Sequence, residues 1–394
     1  MRVVRLVGWL LLIAAIAAAR FEFTPVASVV DTRLAAALLA AAALVLFGWQ
    51  LRRPAGRRSP AVGAVAAALV ALFAVKLLWF TYREQEVSFH NHGVRLAGTL
   101  FLPRGEGPFP AVVFIHGAGP DTRREFLYHA KLFARHGIAG LAWDKRGAGR
   151  SGGKTYEATY RDYAADAAAA VRALRHHPRI QPRQVGLFGH SEGGWVAPMA
   201  AQLVGGVAFV IITATTDLTP AEQVIYETGE TLRRQGFPAE IIQRAQALQR
   251  RVMSYQRTGS DDGQLQRDLT SVRQEPWFAP AELPNRLYPA EEYAWWRSVM
   301  DYDPLPWWRQ VGAPVLAISG GRDPKSDGRK SQRAIAQALH TGGNDRFTGR
   351  VFPRMEHGTI EWWLPAHLPP PRFPRGYPEL LIGWTKEALG LRDS

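Results

Sequence analysis

The stretch that decides the fold of this chain is Gly189-His190-Ser191-Glu192-Gly193-Gly194, which directly follows the apolar run Val185 to Phe188. A G-x-S-x-G pattern after a strand is typical of a nucleophile elbow, in which the serine occupies a sharp turn between a strand and a helix. The strained turn leaves no room for side chains at Gly189 and Gly193. Because so short a pattern also occurs by chance, its meaning depends on partners elsewhere in the sequence.

Two such partners follow Ser191 in chain order. Asp323 comes just after the apolar run Pro314 to Ser319, and His357 follows the apolar pair Val351-Phe352. A serine hydroxyl becomes nucleophilic when an imidazole accepts its proton and a carboxylate orients that imidazole. The carboxyl ends of parallel strands gather at one edge of a sheet. We therefore predict that Ser191, Asp323 and His357 meet there as a catalytic triad.

Other residues compete for each of these roles. Ser191 could be only the N-cap of a helix, which is a common position for serine. Asp323 competes with Asp327 and Asp345, and its position three residues after Gly320 favours it.

The histidine also has rivals. His340 lies at the end of a predicted helix, Ser331 to Leu339, and His367 lies among prolines. His357 follows a strand and precedes a glycine, as a residue on a catalytic loop would. We expect His116 and His190, which flank catalytic loops, to be structural and to hydrogen-bond nearby backbone.

From about Glu86 to its C-terminus the chain resembles the α/β-hydrolases, and more narrowly the esterases related to prolyl-oligopeptidase-like and dienelactone-hydrolase-like folds. The elbow and the ordered acid and histidine carry the resemblance. Two further segments match it, Trp143 to Ser151 as the turn after the fourth strand and Tyr302-Asp303-Pro304 before the strand that bears the acid. The resemblance implies a serine hydrolase but leaves the substrate open.

A glycine-containing loop upstream resembles the HG-type loop that supplies one oxyanion donor in this superfamily. It reads His116-Gly117-Ala118-Gly119-Pro120 and follows the apolar run Ala111 to Ile115. We assign the two oxyanion donors to the backbone N–H groups of Ala118 and Glu192, directed at the charge that develops on the carbonyl oxygen.

Strand and helix patterns alternate through residues 84–394. This alternation predicts an α/β fold, a doubly wound and mostly parallel sheet, for the catalytic domain. The rhythm is interrupted at approximately 217–311, where the superfamily commonly inserts a helical cap. That stretch begins with a long helical pattern around Pro220–Arg257 and then carries five tryptophans. These rings could line an acyl pocket, rest on a bilayer or form the core of the cap.

Residues 1–83 are predicted to form a membrane-anchoring region, because they contain three long apolar runs. Apolar runs cover approximately 3–19, 34–51 and 61–80, and about 20 such residues span a bilayer. The first run could instead be a signal peptide, with Ala17 to Ala19 as its cleavage site, which leaves two spans rather than three. Four arginines and no acid lie between the second and third runs. The positive-inside rule then places the catalytic domain on the extracytoplasmic side of the cell membrane.

Composition excludes several classes of function. The 394 residues include no cysteine, which rules out disulfides and thiol catalysis, and the formal net charge is +14. We expect no nucleic acid partner, because no basic stripe is interleaved with aromatic residues.

His90 and His92 could share one face of a strand, but no further ligands complete a metal site. A Rossmann interpretation of Gly147-Ala148-Gly149 lacks the third glycine. We expect neither a metal nor a cofactor.

These patterns together predict a membrane-anchored serine hydrolase that cleaves carboxylic esters through an acyl-enzyme. The expected partners are a small acyl ester or lipid-like substrate and the lipid bilayer; the oligomeric state is undetermined. A serine peptidase or a lysophospholipase would use the same triad. A non-catalytic membrane-bound binding module is a further alternative, which the complete triad disfavours.

Overall fold

A computed structural model describes residues 82–260, 263–361 and 372–391 of the chain. Its central feature is one eight-stranded sheet. The strands are β1 Tyr82–Asn91, β2 Val94–Pro103, β3 Phe109–Ile115, β4 Ala139–Trp143, β5 Ile180–His190, β6 Val210–Thr213, β7 Val315–Gly320 and β8 Phe347–Phe352. They lie in the order β1-β2-β4-β3-β5-β6-β7-β8.

The six strands from β3 to β8 are parallel; β2 pairs antiparallel with β4, and β1 pairs antiparallel with β2 at the edge of the sheet. Strand β3 is apolar along almost its whole length because helices cover both of its faces, as is usual in parallel sheets. The predicted doubly wound, mostly parallel α/β sheet is therefore confirmed.

Two apolar clusters pack against the two faces of the sheet. The helices that contribute to them include α1 Leu127–Arg135, α2 Tyr160–Arg175, α3 Glu192–Val204, α9 Gly328–Thr341 and α10 Tyr377–Ala388. Helices α2, α3 and α9 cover one face. Helices α1 and α10 cover the other face. Because β3 to β8 are parallel, their carboxyl ends lie at one edge of this layered structure.

Between β6 and β7 the chain forms five further α-helices. They are α4 Pro220–Arg234, α5 Ala239–Thr258, α6 Leu265–Val272, α7 Ala294–Val299 and α8 Leu305–Trp308. The single long helix predicted around Pro220–Arg257 is wrong, because the chain turns between α4 and α5. Gly236 adopts a φ of +83°, which favours glycine, and Pro238 is the N-cap of α5.

The tryptophans of this insertion are divided between different environments. Trp277 lies in an apolar core that belongs to the insertion itself, together with Phe278 and Met300. Trp308 is buried in one of the two clusters beside the sheet, and Trp295 packs against the same cluster while only partly buried. At least two of the five rings are thus core residues and not surface anchors.

The three apolar runs predicted to span a membrane lie outside the described residues. Among the helices of residues 82–260, 263–361 and 372–391, none has the length and apolar character needed to cross a membrane.

Candidate active site

Ser191 occupies a sharp turn between β5 and α3. Its φ of +51° and ψ of −117° are strained for a residue with a side chain. The neighbouring glycines are sterically required. A Cβ on Gly189 would lie 2.3 Å from the carbonyl oxygen of Gly193, and one on Gly193 would lie 2.2 Å from that of Ile115. The elbow therefore lifts the serine hydroxyl beyond the sheet edge, at the positive end of α3.

The other two predicted triad residues reach this hydroxyl from neighbouring loops. His357 follows β8 and places Nε2 2.9 Å from Ser191 Oγ. Asp323 follows β7 and places both carboxylate oxygens 3.0 Å from His357 Nδ1. When Nδ1 carries the proton and donates to the carboxylate, Nε2 is free to accept from the serine hydroxyl. The three side chains form one continuous hydrogen-bonded chain.

The carboxylate of Asp323 is almost completely buried and is held by more than the histidine. The Lys325 backbone N–H donates to Oδ1 at 2.8 Å, and the Ser326 hydroxyl donates to Oδ2 at 3.2 Å. These bonds compensate the burial of the charge and fix the plane of the carboxylate.

The rival residues have other partners. Asp327 caps α9 by accepting from the Lys330 backbone N–H at 3.0 Å. Asp345 lies 2.6 Å from Nδ1 of His340 in an exposed pair. His367 lies outside the described residues.

A family model described as X-Pro dipeptidyl-peptidase (S15 family) matches residues 92–335. The chain belongs to this S15 family. The described fold and the arrangement around Ser191 agree with this assignment, and the predicted membership of the α/β-hydrolase superfamily is confirmed.

Relatives of this S15-family chain include esterases and thioesterases. It is 24% identical to esterase EstD of Thermotoga maritima over 250 residues, which is 62% of this chain and 52% of that protein. It is 34% identical to human acyl-coenzyme A thioesterase 1 over 143 residues, which is 36% of this chain and 30% of that protein. The matched part thus spans about half or less of the length of these curated relatives.

Solved structures with the same fold include the Pyrococcus furiosus esterase Pf2001, with a TM-score of 0.50 and 17% identity. The likeness covers 79% of the S15-family chain and 92% of the esterase. The 2,6-dihydroxy-pseudo-oxynicotine hydrolase also has a TM-score of 0.50, at 18% identity, over 91% of this chain and 83% of the other. At these identities the likeness concerns the fold alone.

Of the two predicted oxyanion donors of this S15-family protein, Ala118 lies on the loop after β3 and Glu192 directly follows Ser191 at the start of α3. The position of a Cβ on Gly117 is 3.5 Å from Cβ of Ser191, so the loop after β3 adjoins the elbow. Glu192 is the first residue of α3. Within the described part of the chain, neither the Ala118 nor the Glu192 backbone N–H donates to another backbone group.

His116 and His190 have structural surroundings, and the side-chain partner of His190 is a hydroxyl and not the backbone group expected of it. The ring of His116 packs edge-on against Phe126 and Trp143. Nδ1 of His190 lies 3.1 Å from the side-chain hydroxyl of Thr213. Burial lowers the pKa of each imidazole to about 3, which keeps both rings neutral at physiological pH.

Sequence reasoning missed a buried ion pair that joins the segment after β4 to the start of α3. Lys145 Nζ lies 2.6 Å from Glu192 Oε1, and each side chain is only 4% exposed. Burial raises the pKa of the Glu192 carboxyl, and the Lys145 ammonium opposes that rise. The available signal was the charged triplet Asp144-Lys145-Arg146 directly after an apolar strand.

The residues on either side of Lys145 brace the same loop. Asp144 accepts from the guanidinium of Arg123 at 2.9 Å and from the Arg150 backbone N–H at 2.9 Å. Arg146 pairs with the buried carboxylate of Asp166 at 2.6 Å. In the part of the chain that the structure describes, no group of three histidine, aspartate or glutamate side chains could hold a metal ion.

Proposed function

We propose that this chain is a serine hydrolase that cleaves carboxylic esters through an acyl-enzyme intermediate. The observation that carries the proposal is the hydrogen-bonded chain from Ser191 Oγ through His357 to Asp323. The strained elbow and the esterases among its relatives support it. A protein that used Ser191 only as a helix cap would need none of this arrangement; Ser191 makes no side-chain capping bond.

In the proposed reaction Ser191 Oγ attacks the acyl carbon while His357 Nε2 accepts the serine proton. The backbone N–H groups of Ala118 and Glu192 stabilise the negative charge on the tetrahedral intermediate. His357 then donates the proton to the leaving alcohol. Asp323 stabilises the imidazolium and keeps its orientation. Water then attacks the acyl-enzyme, and His357 accepts the proton of the water and returns it to Ser191 Oγ as the carboxylic acid is released.

A second candidate substrate is a thioester. It is favoured by the 34% identity to human acyl-coenzyme A thioesterase 1 over 143 residues. Thioester and ester cleavage share the acyl-enzyme and differ only in the leaving group. The family description adds a peptide after X-Pro as a third substrate class to test.

The decisive experiment assays the full chain in detergent against p-nitrophenyl esters of increasing acyl length, acyl-coenzyme A thioesters and an X-Pro anilide. Wild type and Ser191→Ala are purified in parallel. We expect ester hydrolysis that is lost in the variant and a fluorophosphonate label on wild type alone. A folded wild type that neither turns over any substrate nor takes the label would contradict the proposal.

We further propose that residues 1–83 anchor the enzyme in the cell membrane and that residues 84–394 act on its extracytoplasmic side. The support is the three apolar runs and the arginines between the second and third. The helical insertion at approximately 217–311 then acts as the cap that selects the acyl group. Alkaline carbonate extraction and protease access in spheroplasts test the topology. A chain released by carbonate, or a protected hydrolase domain, would contradict it.

A further inference from the structure

The ammonium group of Lys145 joins the loop after β3 to the start of α3, beside Ser191. Lys145 lies two residues beyond β4, and its side chain is 4% exposed. Nζ donates to the carbonyl oxygen of Gly117 at 2.8 Å and to Glu192 Oε1 at 2.6 Å. It also lies 4.4 Å from the centroid of the Tyr163 ring, a cation–π distance. One buried cation therefore contacts the loop after β3 and the first residue of α3 at once.

The bond to Gly117 sets the direction of one proposed oxyanion donor. The carbonyl of Gly117 and the N–H of Ala118 belong to the same peptide unit, and the only cis peptide bond among the described residues is Gly107–Pro108. In a planar trans peptide the C=O and N–H groups point in opposite directions. A cation that holds the carbonyl thus turns the Ala118 N–H away from Lys145. Charge at the oxygen also polarises the amide and strengthens the N–H as a donor.

The bond to Glu192 acts on the second proposed donor. The backbone N–H of a first helical residue has no intrahelical acceptor, so it is available to a ligand. The side chain of the same residue is buried and ends on Lys145. That contact fixes the start of α3 relative to the loop that carries Ala118.

We propose that Lys145 and the Glu192 side chain are positioning residues that hold the two oxyanion-donor amides in a fixed relation. The inference rests on the proposed ester hydrolysis at Ser191. Stability alone gives a weak reason for this pair, because a buried ion pair is often no more stabilising than apolar residues of the same volume. The contacts give a more direct reason for the pair. Nζ of Lys145 bonds both the peptide unit that contains the Ala118 N–H and the side chain of Glu192, and it thereby orients both donors.

The test compares Lys145→Met with Arg146→Met in the full chain. The control removes the neighbouring buried pair of Arg146 and Asp166, which joins α2 to the same loop. For each variant we measure the melting temperature, kcat and KM for a p-nitrophenyl ester, and the inhibition constant of a trifluoromethyl ketone that mimics the tetrahedral intermediate. We expect Lys145→Met to lower kcat by roughly 10- to 100-fold with KM nearly unchanged, since losing one oxyanion donor outright costs about 10²- to 10³-fold.

The affinity for the trifluoromethyl ketone should fall by the same factor as kcat/KM, because both report oxyanion stabilisation. Arg146→Met should leave both quantities near wild type. If Lys145→Met does not fold, the apolar pair Lys145→Met with Glu192→Leu serves instead, with the same loss expected.

The outcomes separate this inference from the proposed function. An inert wild type without a Ser191-dependent label would overturn the proposed hydrolysis and, with it, the inference. An active wild type with a Lys145→Met variant that matches Arg146→Met in kcat and in ketone affinity would overturn the inference alone.

Discussion

Arg234, the last residue of α4, donates from Nη2 to the main-chain carbonyl oxygen of Asp323 at 3.0 Å. Its other terminal nitrogen donates to the carbonyl oxygen of Arg322. Glu230 holds the guanidinium from within the same helix at 2.7 Å. The helical insertion is thereby attached to the very loop that presents the carboxylate to His357.

We expect Arg234→Ala to lower kcat by about 10-fold, since small displacements of a catalytic group cost up to ~10²-fold in rate. Without the guanidinium, the Asp323 loop loses the contact that fixes it to α4. Steady-state kinetics at one pH checks the prediction. Arg233→Ala is the matched control, because Arg233 also pairs with Glu230 and is exposed. Equal rates in the two variants would show that the contact to the acid loop is unimportant.

Replacing Asp323 by Asn tests the orientation of the histidine. An amide can present its N–H₂ group to Nδ1 and so favour the wrong tautomer, and this change in a serine protease triad costs about 10⁴-fold in kcat. We expect a loss of similar size here, with KM and the melting temperature little changed. Asp327→Asn makes the same chemical change four residues away at a helix N-cap and should keep full activity, since Asn caps as well as Asp. A residual rate within ~10-fold of wild type would argue against the role of Asp323.

Gly320 is the last residue of β7 and packs tightly against the loop that carries His357. A Cβ on this residue would lie 2.2 Å from the carbonyl oxygen of Met355, two residues before His357. Gly320→Ala should therefore cost about 1–3 kcal/mol of the free energy of unfolding by overpacking. It should also lower kcat. Denaturant unfolding and ester hydrolysis measure the two effects.

Gly312→Ala is the control for that substitution, because a Cβ there meets nothing within 4 Å. Its stability should stay within about 0.5 kcal/mol of wild type. If the two alanine variants are equally stable and active, the close approach of the two loops has no functional importance.

Buried histidines should make the fold sensitive to acid. Burial lowers the pKa of both His116 and His129 to about 3, whereas a histidine in an unfolded chain titrates near 6.5. A group whose pKa is depressed in the folded state binds fewer protons there than in the unfolded state. Its contribution to the free energy of unfolding is therefore complete above about pH 6.5 and is lost as pH falls toward 3.

His129→Gln isolates one of these contributions. Glutamine can still hydrogen-bond the Tyr377 hydroxyl, which lies 3.0 Å from His129 Nε2, but it does not titrate. Between pH 6 and pH 4 the variant should lose about 1.4 kcal/mol less per pH unit than wild type. Denaturant titrations at several pH values measure the slopes. His176→Gln, at an exposed histidine, controls for the change of side chain. Identical slopes in wild type and His129→Gln would contradict the prediction.

Much of the fold was predictable because its signals are local. The run from Val185 to Phe188 followed by G-x-S-x-G contains its own turn, since Gly189 and Gly193 have no space for a Cβ. The helical insertion was harder to interpret. Its long helical pattern continues through Gly236 and Pro238 when apolar spacing alone is considered, but the left-handed turn at Gly236 divides it.

Contacts between distant segments could not be predicted from the sequence. Lys145 and Glu192 are 47 positions apart, and Arg234 and Asp323 are 89 apart. Arg233 and Arg234 are adjacent and both pair with Glu230, yet only Arg234 has a described bond to the loop that carries Asp323. Which of two adjacent arginines reaches that loop depends on how α4 is rotated against the sheet.

The sequence by itself determined the order of the predicted catalytic residues along the chain: a serine in an elbow, then an acid, then a histidine, each after an apolar strand. Strand and turn propensities are properties of short segments, and parallel strands bring their carboxyl ends to one edge. Only the tertiary structure decided which buried charges support those residues. An ammonium group such as that of Lys145 is buried only where distant segments supply a carboxylate and a carbonyl oxygen to compensate it, and that pairing arises when the sheet assembles.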